Sequence, residues 1–85
     1  MLLAGHETTT NAIGNTLFHL MSQEGQWLQL VDDPSLIPNA VEEGLRAGPP
    51  VVNWRRITTK ATSLGAVEIS EGAEVMMSLV SSNRD

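Results

Sequence analysis

Ala4-Gly5-His6-Glu7-Thr8-Thr9-Thr10 is a polar block inside an otherwise apolar, helix-periodic segment, and its reading decides the rest of the chain. Around it Leu2, Leu3, Ile13, Leu17, Leu20 and Met21 recur at spacings of three, four and seven, the pattern of a helix with one buried face. A helix from Leu2 to Met21 is about 30 Å long, enough to cross a domain. The block violates local propensity. Gly5 costs about 1 kcal/mol against Ala in a helix interior, and the threonine hydroxyls compete for backbone carbonyls. Such violations concentrate at functional or strained sites. The Thr8 hydroxyl can bond the Ala4 carbonyl, open the i to i−4 ladder and leave a notch beside Gly5, room for a small ligand. Glu7 and Thr8, an acid next to an alcohol, are what a proton relay from solvent to a bound atom needs. The competing reading is a helix start, with a threonine as cap and Glu7 near the positive end.

Charge narrows the partners. A net charge of −5 argues against nucleic acid, and the apolar runs are too short and interrupted to span a membrane bilayer. Glu7, Glu24, Asp32 and Asp33 are the only charges before position 40, while all 5 basic residues lie from Arg46 onward; a solvated surface accounts for most of them. With no cysteine, the 85 residues hold neither a disulfide nor a thiolate metal site. His6 and His19 lack the i, i+4 spacing of a helical metal pair and read as structural or surface residues. As one small domain the chain is expected to bury about 60 to 65% of its unfolded surface.

Downstream, Gly25 closes the first helix, Gln26 to Val31 form a short second one, and Asp32-Asp33-Pro34 stop it. Ser35 is the expected cap of a third helix, with Leu36, Ile37, Ala40, Val41 and Leu45 as its apolar stripe. Glu43 and Arg46 share a face of it; an exposed pair of this kind contributes about 0.2 to 0.5 kcal/mol. Gly44 between them is expected to weaken the helix. After Ala47-Gly48-Pro49-Pro50, β-branched runs predict strands over 51–58, 61–64, 67–69 and 74–80, with Glu71-Gly72 turning the last hairpin. Arg55 and Arg56 point to opposite faces of a regular strand. The fold class is α+β: a mainly helical part over 1–47, then short antiparallel strands and hairpins over 48–85, with no linker or repeat that separates domains.

Ala-Gly-His-Glu-Thr-Thr at positions 4–9 resembles the oxygen-binding signature of the cytochrome P-450 family, bacterial soluble type. Ala40-Val41-Glu42-Glu43-Gly44-Leu45-Arg46 resembles the family's Glu-x-x-Arg helix, with Glu43 and Arg46 as its structural ion pair. Arg56-Ile57-Thr58-Thr59 and the segment from Leu64 to Gly72 resemble its heme-propionate strand and hairpin, and Ser82-Asn83-Arg84-Asp85 its Asn-Arg-Asp segment, in the family's order. Gly44 and Lys60-Ala61 depart from the family's usual residues, a better helix former and an acidic pair.

The resemblance implies a cytoplasmic heme-thiolate monooxygenase that inserts one atom of O2 into a small organic substrate, using electrons from a ferredoxin- or reductase-type donor. It further implies that Ala4 flanks the heme, Gly5 leaves room for O2, Thr8 hydrogen-bonds to it and Glu7 feeds it protons. Arg56 would bind a heme propionate, and Val51, Val52 and Asn53 would face the substrate; the other reading of these three is ordinary strand packing. In the family the Glu-x-x-Arg pair also locks onto a later arginine, so Glu43 and Arg46 are expected to be incompletely paired here. The family's heme-ligating cysteine loop follows the Asn-Arg-Asp segment, so the chain is expected to be an internal fragment of one domain, inactive alone. The alternative is a free-standing small α+β interaction module without catalysis.

Overall fold

In the computed structural model, which describes residues 2–85, the first half is helical. Helix α1 (Leu2–Ser22) is followed by α2 (Gln26–Asp32), a 3-10 turn (Pro34–Leu36) and α3 (Ile37–Ala47). Strands β1 (Asn53–Ile57), β2 (Thr62–Leu64), β3 (Val67–Ile69) and β4 (Glu74–Ser78) then lead into a short helix, α4 (Leu79–Ser82).

Helix α1 is continuous, so the opening of the backbone ladder expected near Thr8 does not occur. Gly25, at φ +80°, reverses the chain into α2 and gives its carbonyl to the Gln29 amide at 3.0 Å. The expected cap at Ser35 is corrected. Asp33 caps instead, accepting from the Ser35 amide at 3.0 Å and the Ser35 hydroxyl at 2.6 Å, and Ser35 lies inside the 3-10 turn that this creates. A hydroxyl one residue past a proline is too late in the chain to cap a turn that the proline itself begins.

Gly44 has a packing role besides its cost in helix propensity. It is the one buried residue among those described, because α3 crosses α1 there so closely that a Cβ would stand 2.5 Å from Thr16 Cγ2 and 2.8 Å from Thr16 Cβ. One turn on, a Cβ at Gly48 would stand 2.8 Å from His19 Nε2, and Asn15 Nδ2 donates to the Gly48 carbonyl at 3.0 Å. The two glycines, at i and i+4, form a smooth stripe that lets the helices meet backbone to side chain.

The strands pair as two ribbons. β2 and β3 form an antiparallel hairpin, and β1 pairs antiparallel with β4 in the register Asn53↔Ser78 to Ile57↔Glu74. Glu71-Gly72 therefore does not turn a β3–β4 hairpin; it carries the chain back to the outer ribbon, where Thr58 Oγ1 donates to the Ser70 carbonyl at 2.6 Å and accepts from the Ala73 amide at 3.0 Å. The strand expected to reach Val80 stops at Ser78, and the one expected from Val51 starts at Asn53. Both changes have one cause: the Val52 carbonyl takes the Leu79 and Val80 amides, at 3.0 and 3.4 Å, and starts α4.

The chain is extended, 53 × 33 × 20 Å with a Cα radius of gyration of 17.5 Å, where a compact domain of this length has about 12 Å. Its accessible surface is 7017 Å², against about 4,900 Å² for a compact protein of the same mass. That corresponds to burial of about half the unfolded surface, less than the 60 to 65% expected. Leu2, Leu3, Phe18 and Met21 along α1 are 92, 88, 68 and 74% exposed. The amphipathic pattern is present, but the layer its apolar face requires is not among these residues.

Candidate functional site

The polar block occupies the first two turns of α1. Thr8 Oγ1 donates to the Ala4 carbonyl at 2.8 Å and Thr10 Oγ1 to the His6 carbonyl at 2.6 Å, the back-bonding that keeps a threonine hydroxyl on a helix wall. Beside this wall a Cβ at Gly5 would meet nothing within 4 Å, so the gap is open. Thr8 is half-buried and Glu7 exposed, and Leu2, Leu3, His6 and Glu7 line an apolar concavity. A hydroxyl whose proton is committed to Ala4 still offers two acceptor lone pairs. Among the described residues, no hydrogen bond or ion pair joins Glu7 or Thr8 to Arg46 or Arg56.

Glu43 and Arg46 form a bidentate pair, Nε to Oε2 at 2.6 Å and Nη2 to Oε1 at 2.7 Å. The hydrogen bond from Arg46 lowers the Glu43 carboxyl below its ordinary range, and Glu43 raises the Arg46 guanidinium in return. No second arginine reaches Glu43 among the described residues, but Arg46 has a further partner. Arg46 Nη1 donates to the Asn83 carbonyl at 3.2 Å, while Asn83 Nδ2 donates back to the Leu45 and Arg46 carbonyls at 3.4 and 3.3 Å. Asn83 thus closes the C-terminal end of α3, whose last carbonyls lack helical partners. Sequence reasoning read Asn83 only as part of a motif. For Thr16 and Asn15 a signal existed, the four-residue spacing of Gly44 and Gly48, which marks a close helix crossing.

On β1 the two arginines differ. Arg55 Nη1 meets Glu74 Oε2 at 3.3 Å. Arg56 faces no carboxylate among the described residues; its guanidinium lies 5.3 Å from the Trp54 ring centroid, and Nη1 donates to the Arg55 carbonyl at 3.1 Å. Of Val51, Val52 and Asn53, Val51 is half-buried and the others exposed, and Asn53 begins β1 opposite Ser78. Among the described residues no cluster of His, Cys, Asp or Glu could hold a metal ion, and no helix is long and apolar enough to cross a membrane.

No family model matches the chain. Curated relatives do, over its entire length: it is 46% identical over 86 residues to cytochrome P-450 107B1 of Saccharopolyspora erythraea, covering 100% of this chain and 21% of that protein. It is 44% identical over 86 residues to the vitamin D(3) 25-hydroxylase of Pseudonocardia autotrophica, again 100% of this chain and 21% of the relative. The crystal structure of the cytochrome P-450 enzyme CYP109B1 from Bacillus subtilis superposes with a TM-score of 0.91 at 42% identity, over 99% of this chain and 23% of that one. The chain belongs to the cytochrome P-450 family. It spans about a fifth of the length of the relatives it matches, and its helical half followed by antiparallel strands is part of the cytochrome P-450 fold. Within that fold the uncovered apolar face of α1 has its reason: it belongs to a larger core than 85 residues can make.

Proposed function

We propose that the chain is the dioxygen-side segment of a heme-dependent monooxygenase of the cytoplasm, which inserts one atom of O2 into a small organic substrate with electrons from a ferredoxin- or reductase-type donor. The observation that carries this reading is the open space at Gly5, one helical turn from the half-buried Thr8, whose hydroxyl is bound to the Ala4 carbonyl.

Ala4 and Gly5, small residues with open space at Gly5, would flank a heme, and Arg56, without a carboxylate of its own among the described residues, would offer a planar fork to a propionate. Arg55 does not, because Glu74 already holds it. These 85 residues contain no cysteine, so none of them would supply a thiolate to the heme iron. When bound, the heme supplies the reduction of O2 and the transfer of one oxygen atom.

Each protein group then has a limited task. Gly5 keeps the gap free. Thr8 holds its hydroxyl beside the gap and accepts a hydrogen bond there. Exposed Glu7 exchanges protons with solvent and passes them toward Thr8. Val51, Val52 and Asn53 form one side of the substrate pocket, and Glu43–Arg46 with Asn83 fixes α3 against α4.

Filling the gap tests this. In the full-length enzyme Gly5→Val is expected to weaken carbon monoxide binding to the reduced heme at least tenfold by spectroscopic titration, with the melting temperature as the check that the variant is folded. Unchanged carbon monoxide affinity in a fully heme-loaded variant would contradict the proposed location of the O2 site.

A further inference from the structure

We propose that Gly44 and Thr16 are a size-matched pair that sets how far α1 stands from α3, and that they are thereby positioning residues for Thr8 and Glu7. This rests on the reading of α1 as the dioxygen-side helix.

The geometry leaves little freedom. A Cβ at Gly44 would lie against Thr16 Oγ1, Cγ2 and Cβ together, the last two at 2.5 and 2.8 Å, whereas ordinary contact begins near 3.4 Å. The obstruction is the branched root of a threonine held on a helix, not the tip of a flexible chain, so rotation cannot relieve it. The helices must separate by about 1 Å. Sliding is blocked by a second tooth one turn on, where Asn15 Nδ2 donates to the Gly48 carbonyl at 3.0 Å and His19 Nε2 would stand 2.8 Å from a Cβ on Gly48. Asn15 and His19 bracket Thr16 on α1, so separation at Thr16 lifts this stretch of α1 from α3 as a body.

The shift matters at the other end. Thr8 lies eight residues from Thr16 on the same continuous helix, about 12 Å along its axis. A displacement of about 1 Å at Thr16, carried along an unbroken helix, exceeds at Thr8 the roughly 0.5 Å within which a catalytic constellation tolerates displacement. On α3, Arg46, paired with Glu43, is tied to Asn83, which ties the Gly44 side of the crossing to α4. A glycine that propensity alone marks as a defect in α3 becomes the condition for the helix crossing.

The test uses the full-length heme-loaded enzyme and four forms: parent, Gly44→Ala, Thr16→Ala and the double variant. Two readouts are taken, the melting temperature and the product formed per electron consumed, the latter independent of how much protein is folded. Gly44→Ala is expected to lower the melting temperature by several degrees and the product-to-electron ratio at least threefold. Thr16→Ala in that background removes Oγ1 and Cγ2 from the clash, leaves only the 2.8 Å approach of the two Cβ atoms, and is expected to restore part of both. Should Gly44→Ala alone fail to accumulate, recovery of folded heme protein in the double variant supports the pair, and continued failure overturns it. Parent-like values for Gly44→Ala overturn the proposal as a whole. Rescue of melting temperature without any change in the ratio overturns the positioning role. The outcome is separable from that of Gly5→Val, since the melting cycle reports the helix crossing whatever α1 binds.

Discussion

Residues 1–85 prepared alone should not fold cooperatively, and the size of the deficit follows from the surface. The chain exposes 7017 Å², some 2,100 Å² more than the roughly 4,900 Å² expected of a compact protein of this mass. If a little over half of that excess is apolar, as on protein surfaces generally, about 1,200 Å² of apolar area goes unburied. At about 25 cal/mol per Å² this is close to 30 kcal/mol of missing burial, an upper estimate. Net stabilities are only about 5 to 15 kcal/mol, so the shortfall exceeds anything a domain holds in reserve. The assay is a urea titration followed by far- and near-ultraviolet circular dichroism, together with dye binding and the amide proton spectrum. Broad, non-coincident transitions, strong dye binding and collapsed amide dispersion are expected. A single coincident transition with a dispersed spectrum would refute the argument and favour a free-standing module.

Further expectations concern the full-length enzyme. Arg56→Gln should lower the heme-to-protein ratio by absorbance, whereas Arg55→Gln, which breaks only the Glu74 contact, should leave it unchanged. Glu43→Gln should lower the melting temperature near neutral pH. Because the Glu43 carboxyl lies below its ordinary range, its contribution is present above the unfolded carboxylate value and disappears as pH falls through the folded one; the two melting curves should therefore converge in acid. Gly65→Ala, at φ +59° in the β2–β3 turn, should cost about 1 to 2 kcal/mol in denaturant unfolding.

The elements that could be read from the chain were those with a strong period. Leu2 to Met21 and the Leu36 to Leu45 stripe announced α1 and α3, and the Thr8 hydroxyl found the Ala4 carbonyl as its chemistry suggested. What failed depended on distant partners. Glu71-Gly72 has the composition of a hairpin turn, but β4 finds β1, a pairing no local signal encodes. Ser78 to Ser82 continues a β-rich run, and only the Val52 carbonyl some 27 residues earlier in the chain turns it into α4. Gly44 looked like a defect because propensity counts the helix alone, while the crossing counts Thr16. Asn83 is an ordinary polar residue in sequence, and its reciprocal bonds with Arg46 exist only once α3 and α4 meet.

The most direct test of the account is the ratio of product formed to electrons consumed in the full-length enzyme carrying Thr8→Ala, with Thr8→Ser alongside. The account predicts that Thr8→Ala keeps consuming electrons while most of them leave as peroxide, and that Thr8→Ser, which retains the hydroxyl, stays near the parent ratio. Equal ratios in the parent and Thr8→Ala would contradict it.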